Sequence, residues 1–249
     1  MSNFTRDSTT SDVLAGQDLT GRRVMITGAS SGLGEESARA LAAAGASVTM
    51  LARNSEKLGA AVKRVAEAVP GASLDTGIVD LADQSSIAAF ADSHLASHDG
   101  LDVLINNAGV MACPLGRTAD GHEMQFGTNH LGHFALTARL APALLAGDAP
   151  RLVTLSSAAH SNSDVNLDDP NYADEDSYDP WESYGRSKSA NALFAREAAK
   201  RFGERGLLSF SVHPGGIMTE LGRHLDDELI AQLMERTKAR AEAAGESGG

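Results

Sequence analysis

Tyr184 and Lys188 stand four residues apart in Tyr184-Gly185-Arg186-Ser187-Lys188, inside a stretch from Trp181 to Phe202 that reads as helix. On a helix that spacing puts both side chains on one face. A free phenol ionises near ~10 and is a poor proton shuttle at neutral pH, but a neighbouring ammonium stabilises the phenolate and lowers that value. Such a pair could give a proton to a carbonyl oxygen or take one from an alcohol. Far upstream, Val24-Met25-Ile26-Thr27-Gly28-Ala29-Ser30-Ser31-Gly32-Leu33-Gly34 is a short apolar run that breaks into three glycines and opens onto a helix-favouring segment. Strand, glycine turn and helix present backbone amides and a positive helix end to a phosphate. The spacing is Gly-x-x-x-Gly-x-Gly rather than Gly-x-Gly-x-x-Gly, which points to one branch of the nucleotide-binding folds.

These groups need a scaffold, and the chain alternates strand and helix to provide one. Strands are expected at Val24–Thr27, Ala46–Ala52, Ser73–Val79, Leu101–Ile105, Arg151–Leu155 and Leu207–His213. Helices are expected after the glycine turn, at Ser55–Val69, from an Asp83 cap to Ser97, from Ala119 to Leu145 with bends at Gly127, Gly132 and Pro142, and at Trp181–Phe202. Apolar strands alternating with helices imply a doubly wound parallel α/β sheet covered on both faces. Polar, glycine and hydroxyl residues fall at the C-terminal strand ends, where open parallel sheets bind ligands. They are Thr27–Gly34, Ala52-Arg53-Asn54, Asp80, Asn106–Gly109, Ser156-Ser157 and Pro214–Thr219.

At 249 residues the chain suits one domain, bounded by a flexible arm at 1–20 and a polar C-terminal helix and tail at 226–249, with the catalytic body at 21–225. A net charge of -12 argues against nucleic acid and anionic membrane as partners. The single cysteine, Cys113, fits a reducing cytoplasm. No apolar run spans a bilayer, no secretory signal opens the chain, and no cluster has zinc-ligand spacing, so His130, His133 and His160 read as packing residues and no metal is expected. Met111, Met124 and Met218 read as core or pocket lining. A dinucleotide enzyme using NAD places a carboxylate at the end of the second strand; here Arg53 stands there, and a guanidinium suits a 2′-phosphate. Taken alone, Arg53 reads equally well as a surface residue ahead of a helix.

In order, Thr27-Gly28-x-x-x-Gly32-x-Gly34, Asp80-Leu81, Asn106-Asn107-Ala108-Gly109, Asn129, Ser157, Tyr184-x-x-x-Lys188 and Pro214-Gly215 resemble the short-chain dehydrogenase/reductase family over Gly21 to Leu221. The stretches Asn107–Pro114, Thr118–Glu123, Asn129–Phe134 and Ser156–His160 are similar to its retinol dehydrogenase and WW-domain oxidoreductase branch. The resemblance implies Tyr184 as catalytic acid/base, Ser157 as the hydroxyl that polarises the substrate oxygen, Lys188 as a partner of both phenol and ribose, and Asn129 as support for a proton-relay water. It implies a cofactor surface of Gly28, Ser30, Ser31, Gly32, Leu33, Gly34, Arg53, Asp80, Leu81, Asn107, Ala108, Gly109, Tyr184, Lys188, Pro214, Gly215, Ile217 and Thr219. NADP(H) is favoured over NAD(H), the substrate is a small or lipophilic carbonyl or alcohol, and a homodimer or homotetramer is in keeping with the family. The rival expectation is a catalytically silent NADP(H) sensor on the same fold.

Two stretches depart from the family pattern. Asp164 to Ser183 is an insertion with eight acids, no Lys or Arg, two of the three tyrosines and the only tryptophan. It is readable as a substrate wall or lid built on Tyr172, Tyr178 and Trp181, or equally as a solvated acidic loop. After the Pro-Gly turn no apolar strand remains, so six strands are expected where the family has seven.

Overall fold

The computed structural model describes residues 4–5, 7–217 and 219–243; Met218 and the tail from 244 lie outside the described residues. A short helix α1 (Thr10–Leu14) precedes β1 (Arg23–Thr27), α2 (Gly32–Ala43), β2 (Ser47–Ala52), α3 (Ser55–Ala68), β3 (Leu74–Ile78), α4 (Gln84–Ser97) and β4 (Val103–Asn106). One α turn, α5 (Met124–Phe126), runs through a π-helical turn at Gly127–Gly132 into α6 (His133–Leu145), followed by β5 (Arg151–Leu155), α7 (Pro180–Phe202), β6 (Leu208–Val212) and α8 (Asp227–Ala243). The six strands form one parallel sheet in the order β3-β2-β1-β4-β5-β6. This is the six-stranded, doubly wound architecture that the alternation of elements predicts.

Strand side chains alternate between two faces, and both faces are filled. Val24, Ile26, Val48 and Met50 pack against Ala38, Leu58, Ala61 and Val65 of α2 and α3. Met25, Leu51, Leu104 and Leu152 pack against Ile87, Leu136, Leu140 and Leu144 of α4 and α6. Each such large apolar side chain contributes about 1.5–3 kcal/mol by leaving water. The chain reverses its direction of travel across the sheet between β1 and β4, so a crevice opens at their C-terminal ends. At the far edge β6 leaves Leu208, Phe210 and Val212 exposed. No helix among the described residues is long and apolar enough to cross a membrane.

Two expectations change. The helix foreseen from Ala119 begins at Met124, because residues 117–123 close a turn first. There the Thr118 amide donates to the His122 carbonyl, Gly121 takes φ +83°, and the Glu123 carboxylate caps the amides of Gln125 and Phe126. Within the expected arm, α1 carries a Thr9/Asp12 capping box and is tied to α2 through Thr10, Glu36 and Arg39.

Asp102 fastens the N-terminal edge of the sheet. It is 2 % exposed, and accepts from the Arg23 guanidinium, the Arg23 amide and the Asp148 amide at 2.8 Å each. Burial pushes its carboxyl up, but these donors outweigh burial and leave it at about 2. A folded value below the unfolded one, ~3.9, adds stability that is complete above pH ~4 and is lost as pH falls toward 2. Asp102→Asn should therefore lose about 1–3 kcal/mol in urea unfolding at pH 7 and show a smaller further loss between pH ~4 and ~2 than the native chain.

Candidate active site

The glycine turn and the loop after β4 interlock at the crevice. Gly28 has φ +67°, which favours glycine, and a Cβ there would lie 2.8 Å from the Ala108 Cα. A Cβ on Gly34 would lie 2.6 Å from Asn107 Nδ2. The Thr27 hydroxyl accepts from the amides of Asn107 (2.9 Å) and Ala108 (3.0 Å), while Asn107 Nδ2 donates to the Thr27 carbonyl at 2.8 Å. Ser31 occupies the N-cap position of α2 without a side-chain cap, whereas Asn54, Asp83 and Asp179 each cap their own helices. The α2 amides from Gly32 to Gly34 are thus free of a side-chain cap, in a turn stripped of side-chain bulk. That donor set fits a dinucleotide pyrophosphate.

The remaining residues expected around a dinucleotide are only partly gathered. Arg53 is exposed at the end of β2, close enough to His224 to oppose protonation of that ring, and Lys57 one turn into α3 pairs with Glu220 at 3.4 Å. The Asp80 carboxylate holds its own turn by accepting from the Ala82 amide at 2.9 Å. Leu81 is placed in the main core rather than at the crevice, so only its backbone is left for a ligand. Gly215 has φ +88°, Ile217 is exposed, and the Thr219 hydroxyl accepts from the Leu221 amide while its methyl packs at Gly32.

Three polar side chains meet at the ends of β5 and α7. Ser156 is turned away, its hydroxyl donating to the Lys188 carbonyl at 2.8 Å, which leaves Ser157 as the serine beside the Tyr184 phenol. Tyr184 and Lys188 are each 4 % exposed. The Lys188 ammonium donates to the Leu155 carbonyl at 3.0 Å and lies over the Tyr184 ring, 5.5 Å from its centroid. The expected lowering of the phenol by the lysine is not found. Burial pushes Tyr184 up to about 12, against a smaller opposing effect of the Ser157 hydroxyl, and burial brings Lys188 down to about 8. The arrangement can present a phenol proton and a serine hydroxyl to one substrate oxygen.

Asn129 sits in the π-helical turn and is fully buried. Its Oδ1 accepts from the Val110 amide at 2.8 Å, and its Nδ2 donates to the Val110 carbonyl at 2.9 Å and to Ser187 Oγ at 3.0 Å. Both Nδ2 protons and one Oδ1 lone pair are thus engaged with protein. Ser187 in turn donates to the Tyr184 carbonyl at 2.8 Å. This serine escapes motif reading although it stands between Tyr184 and Lys188; its i+3 position over Tyr184 was the available sign.

The acidic insertion is anchored from outside itself. Arg117 donates to the carbonyls of Asn171 and Tyr172, and the Arg186 guanidinium stacks 4.3 Å over the Tyr172 ring and donates to the Asp169 carbonyl. Tyr178 donates to the Cys113 carbonyl at 2.8 Å, and Tyr172 is buried, so these two rings pin the insertion rather than form a movable lid. Trp181 is the aromatic that reaches the site. It packs edge-on against Tyr184 with centroids 6.5 Å apart, and its Nε1 donates to the Leu229 carbonyl of α8. Met111, Leu225 and Leu229 pack half-buried against this pair, giving the site an apolar rim.

Residues 22–169 match the model of the short chain dehydrogenase family. A protein named Probable oxidoreductase from Streptomyces lividans is 44% identical over 214 residues, covering 86% of this chain and 70% of that one. Human retinol dehydrogenase 11 is 42% identical over 206 residues, covering 83% of this chain and 64% of its own length. Among solved structures, a short chain dehydrogenase from Shigella flexneri complexed with NADP superposes with a TM-score of 0.68 at 27% identity, covering 84% of each chain.

Lys188 is buried with no carboxylate in ion-pair distance among the described residues. Its folded value lies below the unfolded one, so between pH 8 and ~10.4 the unfolded chain binds more protons and stability rises with pH. The penalty for burying the ammonium is fully present below pH 8. Lys188→Met should thus be as stable as the native chain or more so at pH 7, by about 1–3 kcal/mol, with the gain fading as pH rises toward 10. Asn191 Nδ2 still satisfies the Leu155 carbonyl, at 3.0 Å. Thermal melts of both proteins across that range check the sign.

Proposed function

From the premise that this chain belongs to the short-chain dehydrogenase family, we propose that it is an NADP(H)-dependent oxidoreductase that interconverts a small or lipophilic carbonyl with its alcohol. The observation that carries this reading is the meeting of a half-buried Ser157 with the buried Tyr184, with Lys188 against the phenol ring. When bound, the dinucleotide supplies or accepts the hydride. Ser157 donates a hydrogen bond to the substrate oxygen, and Tyr184 exchanges a proton with it. A phenol held near 12 keeps its proton at neutral pH, which is the form that carbonyl reduction requires. Lys188 sits at the floor of the site, and Asn129 acts by position, holding Val110 and Ser187.

Several neighbouring groups complete the proposal. The α2 amides and the glycines of the turn receive the pyrophosphate, and Arg53 receives the 2′-phosphate, which separates NADP(H) from NAD(H). The rim of Met111, Leu225 and Leu229 beside Trp181 excludes water and favours an apolar substrate, in keeping with the similarity to a human retinol dehydrogenase. Cys113, buried and with its thiol pushed up to about 11, stays protonated and takes no part. A cytoplasmic setting suits this single unpaired cysteine.

Two measurements test the proposal. NADPH oxidation across a panel of aldehydes, ketones and quinones should find turnover, and Tyr184→Phe should lower kcat by about 100- to 10,000-fold while leaving the NADPH dissociation constant within about threefold. Turnover indifferent to that substitution would sink the mechanism. Arg53→Ala should weaken NADPH binding by about tenfold and leave NADH binding unchanged, since only the phosphate charge is lost. Equal losses for both cofactors would remove Arg53 from the phosphate site.

A further inference from the structure

His133, the first residue of α6, is fully buried, and no step above uses it. Its Nδ1 lies 2.8 Å from the Asn129 carbonyl oxygen and its Nε2 2.8 Å from Thr27 Oγ1. A carbonyl can only accept, so Nδ1 carries the proton. Desolvation holds the ring down to about 4, so it is neutral and Nε2 accepts the Thr27 hydroxyl proton. That fixes the remaining partners of Thr27: its oxygen has two lone pairs, and the amides of Asn107 and Ala108 fill them. The imidazole is thus one link in a continuous buried path. The path runs from the Asn107-Ala108 loop through Thr27, His133 and Asn129 to Ser187 and the Tyr184 carbonyl.

We propose that His133 is a positioning residue, setting the distance between the dinucleotide edge and the proton-transfer residues through its two hydrogen bonds to Thr27 and Asn129. This rests on the reading of Tyr184 and the glycine turn as one active site. Each end has a reason to shift without it. At one end His133 Nδ1 donates its hydrogen bond to the Asn129 carbonyl inside the π-helical turn, tying that turn to the first residue of α6. Without the acceptor at Nε2, the Thr27 hydroxyl is free to turn toward the Ile105 carbonyl, 3.5 Å away, and the geometry that seats both loop amides is lost. Burial opposes the ring's protonation most, the Asn129 carbonyl favours it, and Lys188 and His130 add to the opposition. No carboxylate opposes them among the influences on the ring.

The test compares His133→Phe, which keeps a ring and removes both bonds, with Thr27→Val and Thr27→Ser in the full chain. Amide hydrogen exchange followed by mass spectrometry is expected to quicken by about tenfold or more in residues 107–110 and 127–132 of His133→Phe and Thr27→Val, with β2 and β3 unchanged. Thr27→Ser keeps the hydroxyl and should retain native protection. Single-turnover hydride transfer should fall by about 10- to 100-fold in the first two variants, more than the NADPH dissociation constant changes. Substituting both residues should cost no more than substituting one, because they act as a unit. Exchange that quickens evenly through the sheet, or additive losses, would overturn the inference and leave His133 as core packing. If the native chain turns over nothing, the proposed function fails while the exchange pattern still decides the role of His133.

Discussion

The C-terminal ends of β1 and β4 depend on one hydroxyl. Where two parallel strands stop, their last amides lose the ladder that satisfied them, and an unpaired buried amide costs about 1–3 kcal/mol. Thr27 Oγ1 accepts from two such amides, Asn107 and Ala108, and in doing so draws the loop after β4 against the glycine turn. The approach is close enough that a Cβ on Gly28 would collide with the Ala108 backbone. The glycines therefore answer to the protein itself as well as to a ligand.

A second constraint is the burial of a cation. Lys188 is 4 % exposed and leans on a carbonyl and the face of a phenol rather than on a carboxylate. Such burial works against folding, and the surrounding structure compensates through packing. Trp181 closes one side of Tyr184, Ala112 and Ala159 close others, and α8 covers the tryptophan through Leu229. The ion pair between Arg236 and Asp179 holds α8 against the N-terminus of α7, the helix that carries both catalytic candidates. The insertion contributes by anchoring this end of α7 through Tyr172 and Arg186.

Much of this was legible in the sequence, for definable reasons. Strand positions follow from apolar runs that must be buried on both faces, and the crevice residues follow from where those runs break. Ser157 and Tyr184 meet because α7 begins at the edge where β5 ends. What the pattern hides is how polar side chains are used locally. Gly127 and Gly132 mark a bend in the sequence and bound the π-helical step, but the turn at 117–123 is hidden, because it arises from Glu123 capping and the positive φ of Gly121. A phenol and an ammonium four apart on a helix suggest mutual stabilisation, yet burial governs both groups here. The roles of His133 and Ser187 are hidden because each also bonds a residue far away in the chain, Thr27 and Asn129 respectively. The aromatic residues of the insertion look like a lid in sequence, but their rings point inward to tether it.

Charge is distributed along the crevice in a way that bears on what each end can receive. At the end of β2, Arg53 and Lys57 stand at the surface, with Glu220 paired to the lysine. A doubly charged phosphate competes well against a single exposed carboxylate for such cations, since an exposed pair is worth at most about 1 kcal/mol. The opposite end is rimmed by apolar side chains, and the segment leading into it holds eight acids without a base of its own. The exposed Arg223 stands two residues from Leu225 of that rim, so the acids are not the only charges near it. On the proposed reading, the cationic end of β2 suits the phosphorylated end of the dinucleotide and the apolar rim suits an uncharged substrate carbon beside Tyr184.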